Sequence, residues 1–302
     1  MTVLKDLDEV ALTEKINRVF PGCGRLGRLT KIETGLEATV FRAETGAFGP
    51  LTLKVPRVRF IENENDHGLD ARDLLRQDAL AFQHLRKHHF PVPQFVALEF
   101  TPEIDFLAYS YIDADGAACS AETVGRLARH LHDTPLPDFL PVAHRGHNQV
   151  EGIVAGLTHQ RLEATERISQ WTLPDVTMEA LHSALISYPA RRSFLHMDIR
   201  AANVLCINGA VMALIDWSNA LLADPLLELA RIAEYGWPMA ETIRGYGEDV
   251  FQQAPVAAVL AARLYTASML AVVFLSEAPD KQRASAAMVR VRTLLEEFVA
   301  AC

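Results

Sequence analysis

The residues best able to do chemistry lie in one short stretch. His196, Asp198 and Asn203 follow the spacing His-x-Asp-x-x-x-x-Asn, and two short apolar segments around a turn then lead to Asp216. Asp198 can accept a hydroxyl proton, and Asn203 and Asp216 offer hard oxygen ligands of the kind Mg²⁺ takes alongside phosphate oxygens. Phosphoryl transfer asks a protein mainly for positioning and charge neutralisation, so this small set suffices for it. The flanks Phe194-Leu195, Val204-Leu205 and Val211 to Ile215 read as buried strand segments that brace the polar groups. His196 reads as a loop-orienting residue. Arg200 has two readings that the sequence leaves open: a charge for the transferring phosphoryl group or an acidic part of the acceptor, or a salt bridge on the loop.

The run His196 to Asn203, followed by Ile215-Asp216-Trp217 and then by Ala223 to Ala230, resembles the aminoglycoside phosphotransferase and choline kinase-like family of small-molecule kinases. The Asp-Trp pair in place of Asp-Phe-Gly, with an Asp-Pro helix start soon after, separates that family from protein kinases. Two departures stand out: Met197 and Arg200 where most members carry Gly and His, and Glu228 where Asp is usual. The resemblance implies an α+β, two-lobed protein kinase-like fold, with a small antiparallel β-rich lobe and a larger helical one. It implies ATP or GTP as donor with Mg²⁺, Asp198 and Arg200 as catalytic residues, and Asn203 and Asp216 as metal ligands. Lys54, a lone charge in the apolar strand 51–55, takes the place of the lysine that contacts the α- and β-phosphates. A buried ammonium of this kind needs a carboxylate; Asp78 matches by its distance from Leu85 and Pro91-Val92-Pro93, and Asp73 competes with it. Gly35 would turn the chain over the phosphates. Ser110 and Ile112 would meet the purine edge, with Ile32 and Val40 above it and Leu205 and Ile215 below.

The elements that must position these residues are legible in the periodicity. An amphipathic helix is predicted over Leu7 to Phe20, ended by Pro21-Gly22. Strands follow over 28–33, 39–44 and 51–58, with turns at Thr34-Gly35 and Gly46 to Pro50. Residues 59–68 are polar and predict a surface loop, and 70–88 a helix. Strands at 94–100 and 106–112 complete a small sheet. Beyond Ser120 the pattern is helical except around the catalytic strands: 121–132 behind a Ser120 cap, 150–171, 178–188, a helix from Asp224-Pro225 to Tyr235, and two long helices near 255–277 and 281–301. The expected division is a nucleotide-binding lobe over 1–112 and a helical lobe over 113–302.

At 302 residues, half of them hydrophobic, the chain can bury a substantial core. A formal charge of −9 disfavours nucleic acid as a partner. The four cysteines are dispersed and form no CxxC pair, which predicts free thiols. The N-terminus lacks the pattern of a secretory signal. The apolar stretch 254–275 is interrupted by Arg263 and is expected to fall short of a membrane span and to form a buried helix. A cytoplasmic enzyme, monomeric or homodimeric, is the expectation, with no membrane partner. His84 and His88 sit one helical turn apart but lack a third ligand, so they do not predict a metal site.

For the acceptor, Trp217, Glu234, Tyr235, Trp237 and Glu241 are the candidate lining residues. Aromatic rings and carboxylates this close together suit a cation. The expected acceptor is therefore a small hydroxylated molecule such as an amino sugar, amino alcohol or antibiotic-like natural product, with antibiotic resistance one possible outcome. The alternatives are a protein kinase-like enzyme, prompted by the Arg-Ala-Ala-Asn run, and a non-catalytic nucleotide-binding protein. Only seven residues separate Asp216 from Asp224, which leaves no room for a peptide-binding activation segment.

Overall fold

The computed structural model describes residues 9–20, 26–144 and 149–302. An amphipathic helix α1 (Glu9–Val19) precedes three strands, β1 (Leu26–Thr34), β2 (Ala38–Thr45) and β3 (Gly49–Pro56). The expected start of that helix at Leu7 and its Pro21-Gly22 stop lie outside the described residues. Next, β4 (Phe60–Glu62) and β5 (His67–Asp70) pair as a short antiparallel hairpin. This corrects the expectation of an irregular loop: Ile61 is buried, and the polar tip closes on itself as Gly68 N donates to Glu62 Oε2 at 2.9 Å. Helix α2 (Ala71–Lys87) begins at Asp70, whose side chain accepts from Arg72 N, and β6 (Phe95–Phe100) and β7 (Asp105–Ser110) follow it.

Five strands make one antiparallel sheet in the order β1-β2-β3-β7-β6. Alternation along β3 puts Leu51, Leu53 and Val55 into one apolar cluster with Leu12 and Ile16 of α1 and Phe41, Phe106 and Ala108 of the sheet. Lys54 therefore points to the opposite face, the α2 face, where Phe82 packs edge-on against Tyr109 at 5.2 Å between ring centres.

Contacts along the chain divide it into two compact units. The first holds the described residues of Met1–Glu62, Asp66–Ala117 and Leu205–Ser218; the second holds Asn63–Asn65, Ala118–Val204 and Asn219–Cys302. The second unit is helical around one small strand pair. Its helices begin with α3 (Ala121–His132), α4 (Val150–Ser169) and α5 (Met178–Leu185). The Ser120 cap is present, with its Oγ accepting from Thr123 N at 3.1 Å. Strand β8 (Ser193–Leu195) then leads into residues 196–203, β9 (Val204–Ile207) and β10 (Ala210–Leu214) form a hairpin that from Leu205 on belongs to the first unit, and β11 (Leu221–Ala223) returns to pair with β8. Helix α6 (Pro225–Glu234) starts with proline in its first turn behind Asp224, whose carboxylate accepts from Leu226 N at 2.9 Å.

Two short helices that the periodicity did not reveal follow, α7 (Met239–Tyr246) and α8 (Val250–Gln253). The chain closes with α9 (Val256–Val272), which runs on as a π-helical turn over Val273–Glu277, and α10 (Lys281–Ala301). By length and composition Val256–Glu277 could cross a membrane, contrary to the expectation that Arg263 shortens it too far. It is instead a core helix: Leu260, Leu264, Ala267 and Ala271 are buried with Val291, Leu295 and Phe298 of α10 in the largest apolar cluster of this unit. Arg263 stays in the helix by pairing with Glu234 at 2.6 Å.

Candidate active site

In the first unit, α2 supplies the partner that Lys54 needs. Lys54 Nζ lies 2.7 Å from Asp78 Oδ2 and 2.8 Å from Asp216 Oδ1. Asp73 points elsewhere, pairing with Arg76 at 2.6 Å, so the choice between the two falls to Asp78. Burial opposes the charge on Lys54, but Asp216 and Asp78 outweigh it and hold the ammonium well above its ordinary range. Burial pushes Asp78 up, although Lys54 and the Trp217 N–H at 2.7 Å both stabilise its ionised form. Gln77, one residue earlier, donates to the carbonyls of Trp217 at 2.6 Å and Ser218 at 3.0 Å. Adjacent residues of α2 thus grip the segment that carries Asp216. Asp216 itself has φ 68°, a left-handed conformation uncommon outside glycine and often retained at functional positions.

The turn at Gly35 is tight, with Gly35 N donating to Ala38 O at 2.9 Å. Arg57 fixes it by donating to the carbonyls of Gly35 and Leu36 at 3.0 and 3.3 Å. Two residues on stands Glu37, which the motif reading passed over. Burial pushes its carboxyl up to about 8, and the nearby charge of Asp216 adds to the rise. Its place beside a candidate phosphate turn was the signal available. Of the candidate purine contacts, Val40 lies directly across β2–β3 from Lys54. Ser110 closes β7, its Oγ accepting from Gln94 N at 2.9 Å. Ile112, Leu205 and Ile215 are half-buried and Ile32 is exposed.

In the second unit the catalytic segment is built on α6. Glu228, fully buried, accepts from the backbone N–H of His196 at 2.6 Å and of Met197 at 2.9 Å. Burial would raise its pKa, but the facing His132 ring, the His196 ring and the Met197 N–H more than offset this and keep it low. Met197, which stands where most family members carry Gly, has φ 61°, left-handed like Asp216. Asp198 N donates to His196 Nδ1 at 3.0 Å, which gives His196 the orienting role read from the sequence.

The Asp198 carboxylate, with its residue only 7% exposed, is surrounded by donors. Asn203 Nδ2 and Arg200 Nε donate to Oδ2 at 2.6 and 3.0 Å. The Tyr235 hydroxyl donates to Oδ1. Because the Asn203 amide nitrogen faces the carboxylate, its oxygen is the end left for a cation. Among the described residues no group of three or more His, Cys, Asp or Glu is arranged to hold a metal ion. A metal here would need phosphate and water oxygens as well, which is how Mg²⁺ is usually held.

Two acceptor candidates are corrected by their surroundings. Trp217 is fully buried against Phe90, ring centres 6.1 Å apart, with its indole N–H on Leu214 O, so it has no surface to offer an acceptor. Glu234 is committed to Arg263 at 2.6 Å and Arg290 at 2.9 Å, and its side chain is only 5% exposed. Its charge pins α6 to α9 and α10. Tyr235 and Trp237 are brought to the catalytic segment, Trp237 donating to Ile199 O at 3.2 Å. Glu241 lies exposed in the first turn of α7. His84 and His88 contact each other, ring centres 4.8 Å apart.

A family model described as the phosphotransferase enzyme family matches residues 28–265. Among curated proteins, none matches the chain. A solved structure of a thermostable mutant of aminoglycoside phosphotransferase APH(4)-Ia, in ternary complex with AMP-PNP and hygromycin B, is 18% identical with a TM-score of 0.65. The alignment covers 95% of this chain and 98% of that one. A macrolide 2'-phosphotransferase type I is 17% identical with a TM-score of 0.57, covering 96% and 99% of the two chains. A choline/ethanolamine kinase family protein from Mesorhizobium loti is 18% identical with a TM-score of 0.61, covering 96% and 97%. These likenesses show a shared α+β, kinase-like fold. With the family model spanning most of its length, the chain belongs to the phosphotransferase enzyme family.

Proposed function

We propose that the protein transfers the γ-phosphoryl group of ATP, or of GTP, to a hydroxyl of a small molecule such as an amino sugar, amino alcohol or antibiotic-like natural product. The observation that carries this reading is the Asp198 carboxylate: a buried acid oriented by three donors. It is the proton acceptor for the attacking hydroxyl. Lys54, held by Asp78, binds phosphate oxygens as a fixed positive charge. Asn203 through its amide oxygen and Asp216 through its carboxylate would hold Mg²⁺, which supplies charge neutralisation on the phosphates. Arg200, its side chain about half exposed, is within reach of incoming negative charge. The short connection from Asp216 to Asp224, which ends in strand β11, favours a small acceptor over a peptide. The cytoplasm, where nucleoside triphosphates are available, is the compartment this reading assigns.

The test is turnover on an acceptor found by screening aminoglycosides, macrolides, amino alcohols and sugars for ATP consumption. Asp198→Asn is expected to lower kcat by about 10²- to 10⁴-fold while ATP affinity is kept. Near-normal turnover in that variant would remove Asp198 from the role of base and the reading with it.

A further inference from the structure

Helix α6 does more than hold the catalytic segment by its backbone. Glu228, Arg231 and Tyr235 stand at i, i+3 and i+7 and so share one face of the helix and its cap. Glu228 takes the N–H groups of residues 196 and 197. Tyr235, at the C-cap, reaches the Asp198 side chain. Between them Arg231, only 3% exposed, donates from Nε to the Tyr235 hydroxyl oxygen at 3.2 Å. Its remaining contacts are the Met269 sulfur at 3.5 Å and the faces of the Tyr235 and Tyr265 rings, each 5.9 Å away. Among the described residues no carboxylate forms an ion pair with it. An unpaired buried guanidinium is costly, and the charge of Asp198, across the phenol, favours its ionised form.

The polarity of this chain is fixed by chemistry. A guanidinium has no acceptor, so Arg231 must donate to the phenol oxygen, and the phenol hydrogen is left for Asp198 Oδ1. Burial pushes the Tyr235 hydroxyl up to about 12, which keeps it a donor. The two carboxylate oxygens are therefore unequal. Oδ1 is fixed by a buried pair, whereas Oδ2 carries Asn203 and the half-exposed Arg200.

We propose that Tyr235, held by Arg231, is a positioning residue that fixes Oδ1 of Asp198 and so assigns Oδ2 as the oxygen that takes the acceptor's proton. The acceptor hydroxyl replaces Arg200 on Oδ2, freeing that guanidinium for the transferring phosphoryl group. In the transfer step the hydroxyl oxygen forms its bond to the γ-phosphorus as the bond to the β-phosphate oxygen breaks. The hydroxyl proton passes to Oδ2, and the nucleoside diphosphate leaves with the electron pair. The inference rests on Asp198 being the base.

The experiment compares Tyr235→Phe, Asp198→Asn and the double variant, with Mg²⁺·ATP and the best acceptor of the screen, and separately with water as acceptor, read as phosphate release. Tyr235→Phe removes one charge-assisted hydrogen bond and keeps the ring. Its kcat is expected to fall about 10- to 100-fold, with KM for ATP unchanged; the melting temperature should drop alike in both backgrounds, because Arg231 Nε loses its acceptor whatever stands at position 198. In the Asp198→Asn background the same change should cost nothing further in kcat, because a residue that acts only through the base has nothing left to act on. Arg231→Lys, which retains a donor and a charge, should keep more of kcat than Arg231→Met. An unchanged or increased kcat in Tyr235→Phe overturns the proposal. So does an equal loss of kcat in both backgrounds, which would mark Tyr235 as a general structural residue. Full activity of Asp198→Asn overturns the parent reading instead, and the two failures are thereby told apart.

Discussion

At the scale of single residues, the charge arrangement in the first unit is decided by burial. Lys54 and Asp78 are almost without solvent, so each stabilises the other's charge far more than a surface pair would. Asp78 also accepts the Trp217 N–H, so it holds both the lysine and the residue that follows Asp216. Asp78→Ala is expected to raise the KM for ATP by on the order of tenfold or more, since a buried charge-assisted hydrogen bond contributes about 1.5–3 kcal/mol. It should also shrink the rise in melting temperature that Mg²⁺·ATP produces. Asp73→Ala, on the same helix but paired with Arg76, should change neither. Equal effects of the two substitutions would show that Asp78 has no special hold on Lys54.

At the scale of elements, the second unit depends on one close crossing. Helices α3 and α7 meet at glycines from both sides. A Cβ at Gly125 would fall on the carbonyl oxygen of Thr242, and one at Gly245 on that of Glu122, both far inside van der Waals contact. Neither atom can move away, because each is backbone within a helix or its start. Tyr246 of α7 is buried there and meets the His132 ring Nδ1 at 2.9 Å. Gly125→Ala is expected to destabilise the protein by about 3 kcal/mol, at the upper end of typical overpacking costs. Thermal melting would show it as a drop of several degrees, while Gly152→Ala, where a Cβ meets nothing within 4 Å, serves as the control that should not fall.

At the scale of the whole molecule, stability against pH sums contributions from both units, and two groups with large shifts contribute opposing slopes. His144 is neutral in the fold, its Nε2 accepting from Leu222 N at 2.9 Å, and burial with the Arg192 charge lowers it to about 4. Between about 6.5 and 4 the unfolded chain binds a proton that the native one refuses, so stability falls as pH falls. Glu37 works in the opposite sense. With its native pKa raised to about 8 from 4.5, the unfolded chain loses a proton first, and stability falls as pH rises through that window. The two slopes oppose each other below about 6.5, and above it only that of Glu37 remains of the two. The melting temperature of the nucleotide-free protein is expected to decline from pH 6.5 to 8, and Glu37→Gln to flatten that decline. A decline of the same steepness in the variant would show that Glu37 is not the group responsible.

The sequence by itself determined what depends on near neighbours in the chain. The alternation of Leu51, Leu53 and Val55 set a strand with Lys54 on its other face, and Asp224-Pro225 and Ser120 set helix starts, because period and capping are local properties. The spacing of His196, Asp198, Asn203 and Asp216 was legible for the same reason. The weak pattern of 239–253 hid two short helices, and polar 59–68 hid a hairpin held by backbone pairing, the burial of Ile61 and the bond from Gly68 N to Glu62. Only the tertiary structure decided which carboxylate meets Lys54, since Asp73 and Asp78 lie on one helix and differ in the direction each projects. The aromatic and acidic residues after Asp216 looked alike in the sequence, yet packing buried Trp217, tied Glu234 to two arginines, and brought Tyr235 onto Asp198. These outcomes depend on partners 24 to 139 residues away, and which partner arrives is a property of how helices and strands pack, not of any local pattern.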